Sequence, residues 1–112
     1  MTKSTINIDV ELDNDKVPAN IWWSATDSTA DEHQKAKAMF LSFWDGADKA
    51  ALRIDLWNKE MMVDEMIDFY YQTFMGMSES LARSTGQQEL VEDLKNFAAA
   101  FYKKFHDNQR NQ

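Results

Sequence analysis

The sequence predicts an α+β protein: a four-stranded antiparallel β-meander followed by two C-terminal α-helices packed on one face of the sheet. Three observations predict it. Apolar and polar residues alternate with a period of two through much of residues 5–57, turn-forming residues separate the alternating runs, and after Asn58-Lys59-Glu60 the apolar spacing becomes helical. With 112 residues, 44% of them hydrophobic, three Gly and one Pro, the chain suits a single domain over 1–112 with one core and short loops.

The first strand is read in "TINIDVEL", residues 5–12, where Ile6, Ile8, Val10 and Leu12 share one face and Asn7, Asp9 and Glu11 the other. Asp13-Asn14-Asp15-Lys16 supplies turn residues, and Pro18, lacking an N–H, marks the edge of the next strand. In "ANIWWSAT", Ile21, Trp23 and Ala25 form the more apolar set, expected inward, opposite Trp22, Ser24 and Thr26. "DSTADEHQK", residues 27–35, reads as a polar loop. "AKAMFLSFW", residues 36–44, is apolar on both faces and is expected to be the most buried strand.

Asp45-Gly46 is a tight-hairpin signal, setting Trp44 opposite Ala47 and Met39 opposite Leu52. "ALRIDLW", residues 51–57, forms the fourth strand. In this register Met39, Leu41 and Phe43 share the core face with Leu52, Ile54 and Leu56. The outer face of the sheet then carries Asn7, Asp9, Glu11, Trp22, Ser24, Phe40, Ser42, Trp44, Arg53, Asp55 and Trp57.

From about Val63 to Arg83 a broad stripe of Met66, Ile67, Phe69, Tyr70, Phe74, Met77 and Leu81 describes a helix suited to lying on a sheet, with Asp64 and Glu65 at its positive end. Gly76 lies inside it, a position that suggests close packing. Gly86 ends this helix, and Thr85 with Gln88 has capping-box spacing for the next. The second helix, about Gln87 to His106, aligns Leu90, Leu94, Phe97, Ala98, Phe101 and Phe105. Residues 106–112 read as a frayed polar tail.

Twelve Lys+Arg against nineteen Asp+Glu give a net charge of −7, which disfavours nucleic acid and anionic lipid as partners. The absence of cysteine removes disulfides and thiolate chemistry. No apolar run approaches the ~20 residues needed to cross a bilayer, and the N-terminus carries no secretory pattern, so a cytoplasmic location without membrane insertion is expected.

Residues for catalysis are sparse. His33 and His106 form no short metal-binding spacing, and "DNDKVP" at 13–18 begins like a calcium loop but continues with Val17, Pro18 and Ser24 in place of ligands and glycine. Neither GxGxxG nor GxxxxGK[ST] occurs. The chain is therefore expected to be non-enzymatic, with no catalytic residues, cofactor or metal. The residues singled out for function are Trp22, Phe40, Trp44, Arg53, Asp55 and Trp57, an aromatic set with an arginine of the kind that protein interfaces enrich. The alternative is a ligand-binding or catalytic domain using Trp44, Arg53, Asp55 and Trp57 with residues 27–35 as a lid. A third reading is an assembly or chaperone role drawing on Met66, Met75 and Met77.

"WSATDS" at 23–28, "FWD" at 43–45, "LRIDLWNKEM" at 52–61 and "VDEMIDFY" at 63–70 resemble the gliding motility-associated protein GldC family, the tract from Leu52 to Tyr70 most specifically. A looser likeness extends from "VELDNDKVP" to the two helices. Where the family pattern leads one to expect proline, this chain has Met62, which removes a helix-starting device and no chemistry. The resemblance implies a cytoplasmic accessory of bacterial gliding motility without established enzymatic activity. An adaptor that binds a protein partner, a component of the gliding machinery or its own copy in a homodimer, follows as the expected function; the resemblance supplies no site residues.

Overall fold

The computed structural model describes residues 1–26 and 32–110, with no side-chain description for Arg110. The chain divides into two compact units, Met1–Met61 and Met62–Gln112.

The first unit is all β. Its strands are β1 (Ile6–Leu12), β2 (Pro18–Ala25), β3 (Gln34–Ala36), β4 (Ala38–Asp45) and β5 (Ala50–Trp57). They form two antiparallel sheets, β1-β2-β3 and β4-β5, rather than one four-stranded meander. The correction arises at Lys37. The run read as one strand over 36–44 breaks at this bend: Ala36 pairs with Ile21 in one sheet, while Ala38 pairs with Trp57 in the other. A strand that bends can change sheets in this way. The Lys37 carbonyl accepts the Asn58 N–H at 2.9 Å, carrying the β4–β5 pairing to the corner itself. Of the expected loop over 27–35, Gln34 and Lys35 belong to β3, and residues 27–31 lie outside the described residues.

In the first sheet the alternation reads as expected, Ile8 opposite Trp23 and Asp9 opposite Trp22, with an irregularity at Glu11/Leu12. Burial departs from expectation. Ile21 is buried, but Trp23 of the same face is 37% exposed, and Trp22 of the other face is half-buried. The two buried residues of β2, Ile21 and Ser24, also make it the most buried strand instead of β4, which has none.

Turn chemistry accounts for both hairpins. In the first, Asp13 Oδ1 accepts the N–H groups of Asp15 and Val17 at 2.8 and 3.0 Å, and Lys16 takes a positive φ of 63°. In the second, Asp45 Oδ1 accepts the N–H groups of Ala47 and Asp48 at 2.9 and 3.2 Å, and Lys49 has φ 52°. Asp45 pairs with Ala50, so the turn spans residues 46–49 rather than closing tightly at Asp45-Gly46. Only an Asp side chain bonded to its own turn was needed, and Gly46 adopts no positive φ. Lys59 then meets Asp13, Nζ to Oδ2 at 2.9 Å, joining the end of the second sheet to the first turn.

The second unit is a helical hairpin of α1 (Val63–Thr85) and α2 (Gln88–Arg110). Glu65 accepts the Met62 N–H at 3.4 Å at the start of α1, and Gly86 closes it in the left-handed conformation, φ 66°. Thr85 does not cap the next helix as its spacing with Gln88 suggested: it is the last residue of α1, its Oγ1 accepts the Gln87 N–H at 3.2 Å, and α2 begins at Gln88 itself. That helix continues past His106 to Arg110, where a frayed tail was expected.

Ser78 of α1 and Val91 and Ala98 of α2 are the buried residues of the hairpin. Phe74 lies between Phe97 and Phe101 with ring centroids 5.7 and 5.4 Å away in edge-on geometry, and Tyr71 meets Tyr102 at 4.6 Å. A small residue at the crossing lets the helices approach, and Ser78 satisfies its hydroxyl by donating to the Phe74 carbonyl at 2.8 Å. Gly76 does not play that part: a Cβ built there meets nothing within 4 Å.

Candidate interaction face

Five of the six residues singled out in the sequence occupy one face of the β4–β5 ribbon. Residues directly opposite in an antiparallel pair share a face, and the pairs are Ala38 with Trp57, Phe40 with Asp55, Ser42 with Arg53, and Trp44 with Ala51. The partners are displaced four residues along β5 from the tight-turn register. Four is even, so the faces survive: Trp44 and Trp57 remain together, as do Phe43, Leu52, Ile54 and Leu56. Trp22 is separate. It lies in the other sheet, where its Nε1 donates to Glu11 Oε1 at 2.6 Å and Lys35 Nζ stands 5.6 Å from the ring centroid.

The ribbon face is ordered by size. Each tryptophan stands opposite an alanine too small to cover it, and the two lie six residues apart, about 20 Å at strand spacing. Trp44 is 69% and Trp57 53% exposed. Between them Arg53 donates to Asp55 Oδ1 at 3.0 Å, an exposed ion pair along one strand. Phe40, half-buried, stands across from Asp55.

The opposite face corrects an expectation. Phe43 and Leu52, paired directly and assigned to the core, are each 57% exposed, and Ile54 is exposed as well. The ribbon therefore presents large apolar side chains on both faces. Single exposed apolar residues are ordinary on protein surfaces; a contiguous set marks an interaction site.

A shallow hollow of about 230 Å³ adjoins this face, lined by Val17, Pro18, Asp55, Leu56 and Trp57. Among the described residues Asp55 is its one ionisable lining side chain, so these residues supply no acid–base pair there. Among the described residues no three His, Cys, Asp or Glu side chains are grouped as a metal site, and no helix is long and apolar enough to cross a membrane. Asp13 is held below the usual carboxylate range by its hydrogen bond to Lys59 and then by the Val17 N–H.

Sequence reading missed Asn58, which is buried at the end of the ribbon. Its Oδ1 accepts the Glu60 N–H at 3.0 Å and its carbonyl the Met61 N–H at 3.3 Å, so it turns the chain out of β5. An Asn directly after a strand was the available signal.

Residues 18–107 match the family described as gliding motility-associated protein GldC-like. The chain belongs to the GldC-like family. The matched region runs from the first residue of β2 nearly to the end of α2, so the GldC-like match takes in both sheets and both helices, with β1 outside it. No curated protein and no solved structure matches the chain.

Proposed function

We propose that this GldC-like chain acts in gliding motility as a non-enzymatic accessory protein of the cytoplasm, an adaptor that binds another protein through the β4–β5 ribbon. The exposure of Trp44 and Trp57 on one face, flanking the Arg53–Asp55 pair, carries this reading. Aromatic rings with an arginine are what binding hot spots favour, because they bury much area for little lost rotamer freedom. The family membership supplies the process, and the ribbon supplies the surface.

In a gliding bacterium whose own copy is replaced by the double variant Trp44→Ser/Trp57→Ser, at unchanged protein level, colony spreading should fall toward that of a deletion. Normal spreading would remove the ribbon face from the function.

A further inference from the structure

We propose that the partner engaged by β5 is a second copy of this chain, joined edge to edge in antiparallel pairing about a two-fold axis through Ile54. The inference rests on the interaction reading above and names the partner for one edge of the same ribbon.

The second sheet ends at β5: among the described residues no other strand pairs with its outer edge. A two-stranded sheet is marginal by itself, and an open edge of backbone donors and acceptors is a template for another strand. The sequence of β5 is complementary to its own reversal. Centred on Ile54, antiparallel pairing sets Ile54 against Ile54 of the partner subunit, Leu52 against the partner's Leu56, Arg53 against the partner's Asp55, and Ala51 against the partner's Trp57. Both charges of each copy meet an opposite charge, and all three aliphatics meet aliphatics. The Arg53–Asp55 bond within one chain is an exposed pair, so exchanging it for two pairs across the axis costs little.

The pairing also completes rows that one copy leaves open. Trp44 stands opposite Ala51, and in the dimer the partner's Trp57 stands on the other side of the same alanine, so the two kinds of tryptophan, about 20 Å apart within a chain, join one cross-strand row. On the other face Phe43 and Leu52 gain the partner's Leu56 as their neighbour, extending the exposed apolar set across four strands.

The edges at β1 and β4 lack this complementarity. Pairing β1 about its centre sets Asp9 against Asp9, a direct repulsion. Strand β4 has no charge before Asp45, whose carboxylate is engaged by the turn N–H groups.

The chain has no cysteine, so Ile54→Cys introduces a single thiol on the axis. Directly opposed residues in an antiparallel pair lie about 4.5–5.5 Å apart at Cα, within disulfide reach. Leu52→Cys points to the same face but lies four residues, about 14 Å, from its twin. Mild oxidation should give a disulfide-linked dimer at least tenfold faster for Ile54→Cys than for Leu52→Cys; equal rates, or a folded Ile54→Cys protein that does not cross-link, overturn the proposal.

Charge exchange gives a second measurement that does not depend on cysteine. Arg53→Asp and Asp55→Arg should each sediment as monomers, and an equimolar mixture should recover the dimer, since only across the axis do the two variants restore opposite pairs. Both lose the intrachain pair equally, so a mixture that stays monomeric overturns the register. Wild-type protein that is monomeric at about 100 μM overturns the dimer but leaves the adaptor reading standing if the tryptophan face still captures a different protein.

Discussion

Trp44 stands opposite Ala51 across the β4–β5 hairpin, on the same face as Arg53, Asp55 and Trp57. This pairing follows from a turn over residues 46–49, in which Asp45 bonds the chain behind it and Lys49 takes the left-handed conformation. The aromatic face therefore depends on the turn.

The turn makes an unequal demand on its residues. Lys49 at φ 52° bears the strain of a side chain in the left-handed region, whereas Gly46 has no positive φ and open space around a built Cβ. Lys49→Gly should gain about 0.5 kcal/mol, and Gly46→Ala about 0.4–1 kcal/mol, in urea unfolding. A loss at Gly46 would place the conformational demand there after all.

Gly76 gives a parallel case in α1. It sits inside the helix, and nothing lies within 4 Å of an added Cβ, so Gly76→Ala should stabilise the protein by roughly 0.5–1 kcal/mol. A destabilised variant would mean that a close-packed neighbour occupies that spot in solution.

Ser78 and Phe74 hold the helix hairpin together. Ser78 is fully buried and bonded only within its own helix turn, so Ser78→Leu should overpack the crossing and cost about 1–3 kcal/mol. Phe74→Ala removes a ring packed against two others and should cost about 3 kcal/mol or more. Denaturant midpoints measure both, and a Ser78→Leu variant as stable as wild type would rule out the close crossing.

Asp13 predicts a pH dependence with a definite sign. Its folded-state pKa is lowered, chiefly by Lys59 and then by the Val17 N–H, so its stabilising contribution is present above the ordinary carboxylate pKa and is lost as pH falls through the lower folded value. Asp13→Asn should thus be less stable than wild type at neutral pH, with the gap closing below about pH 4. Thermal melts across pH 2–7 measure it; a gap that widens in acid would reverse the sign.

Much of this was readable in the residues, and the reasons are local. Alternation in 6–12, 18–25 and 50–57 placed three strands because each side chain's face follows from its own position in the pleat. The helices were legible through their stripes, and Gly86 through its cap. What escaped depends on distant partners or on the chain's path. Lys37 looks like any strand residue until its two flanking alanines pair with different sheets, and Gln34-Lys35-Ala36 is too short and polar to announce a strand. Lys59 and Asp13 are 46 positions apart in sequence, and no periodicity relates them. The face residues on the ribbon were legible despite the wrong turn length only because the register error was even.

Affinity capture from a gliding bacterium tests the role of the ribbon face most directly, with wild-type bait compared against Trp44→Ser/Trp57→Ser. Both rings are mostly exposed, so the variant should melt within about 5 °C of wild type while losing the proteins that wild type retains. An unfolded variant would assign the two rings to the core, and a folded variant that still captures the same proteins would contradict the proposed interaction face.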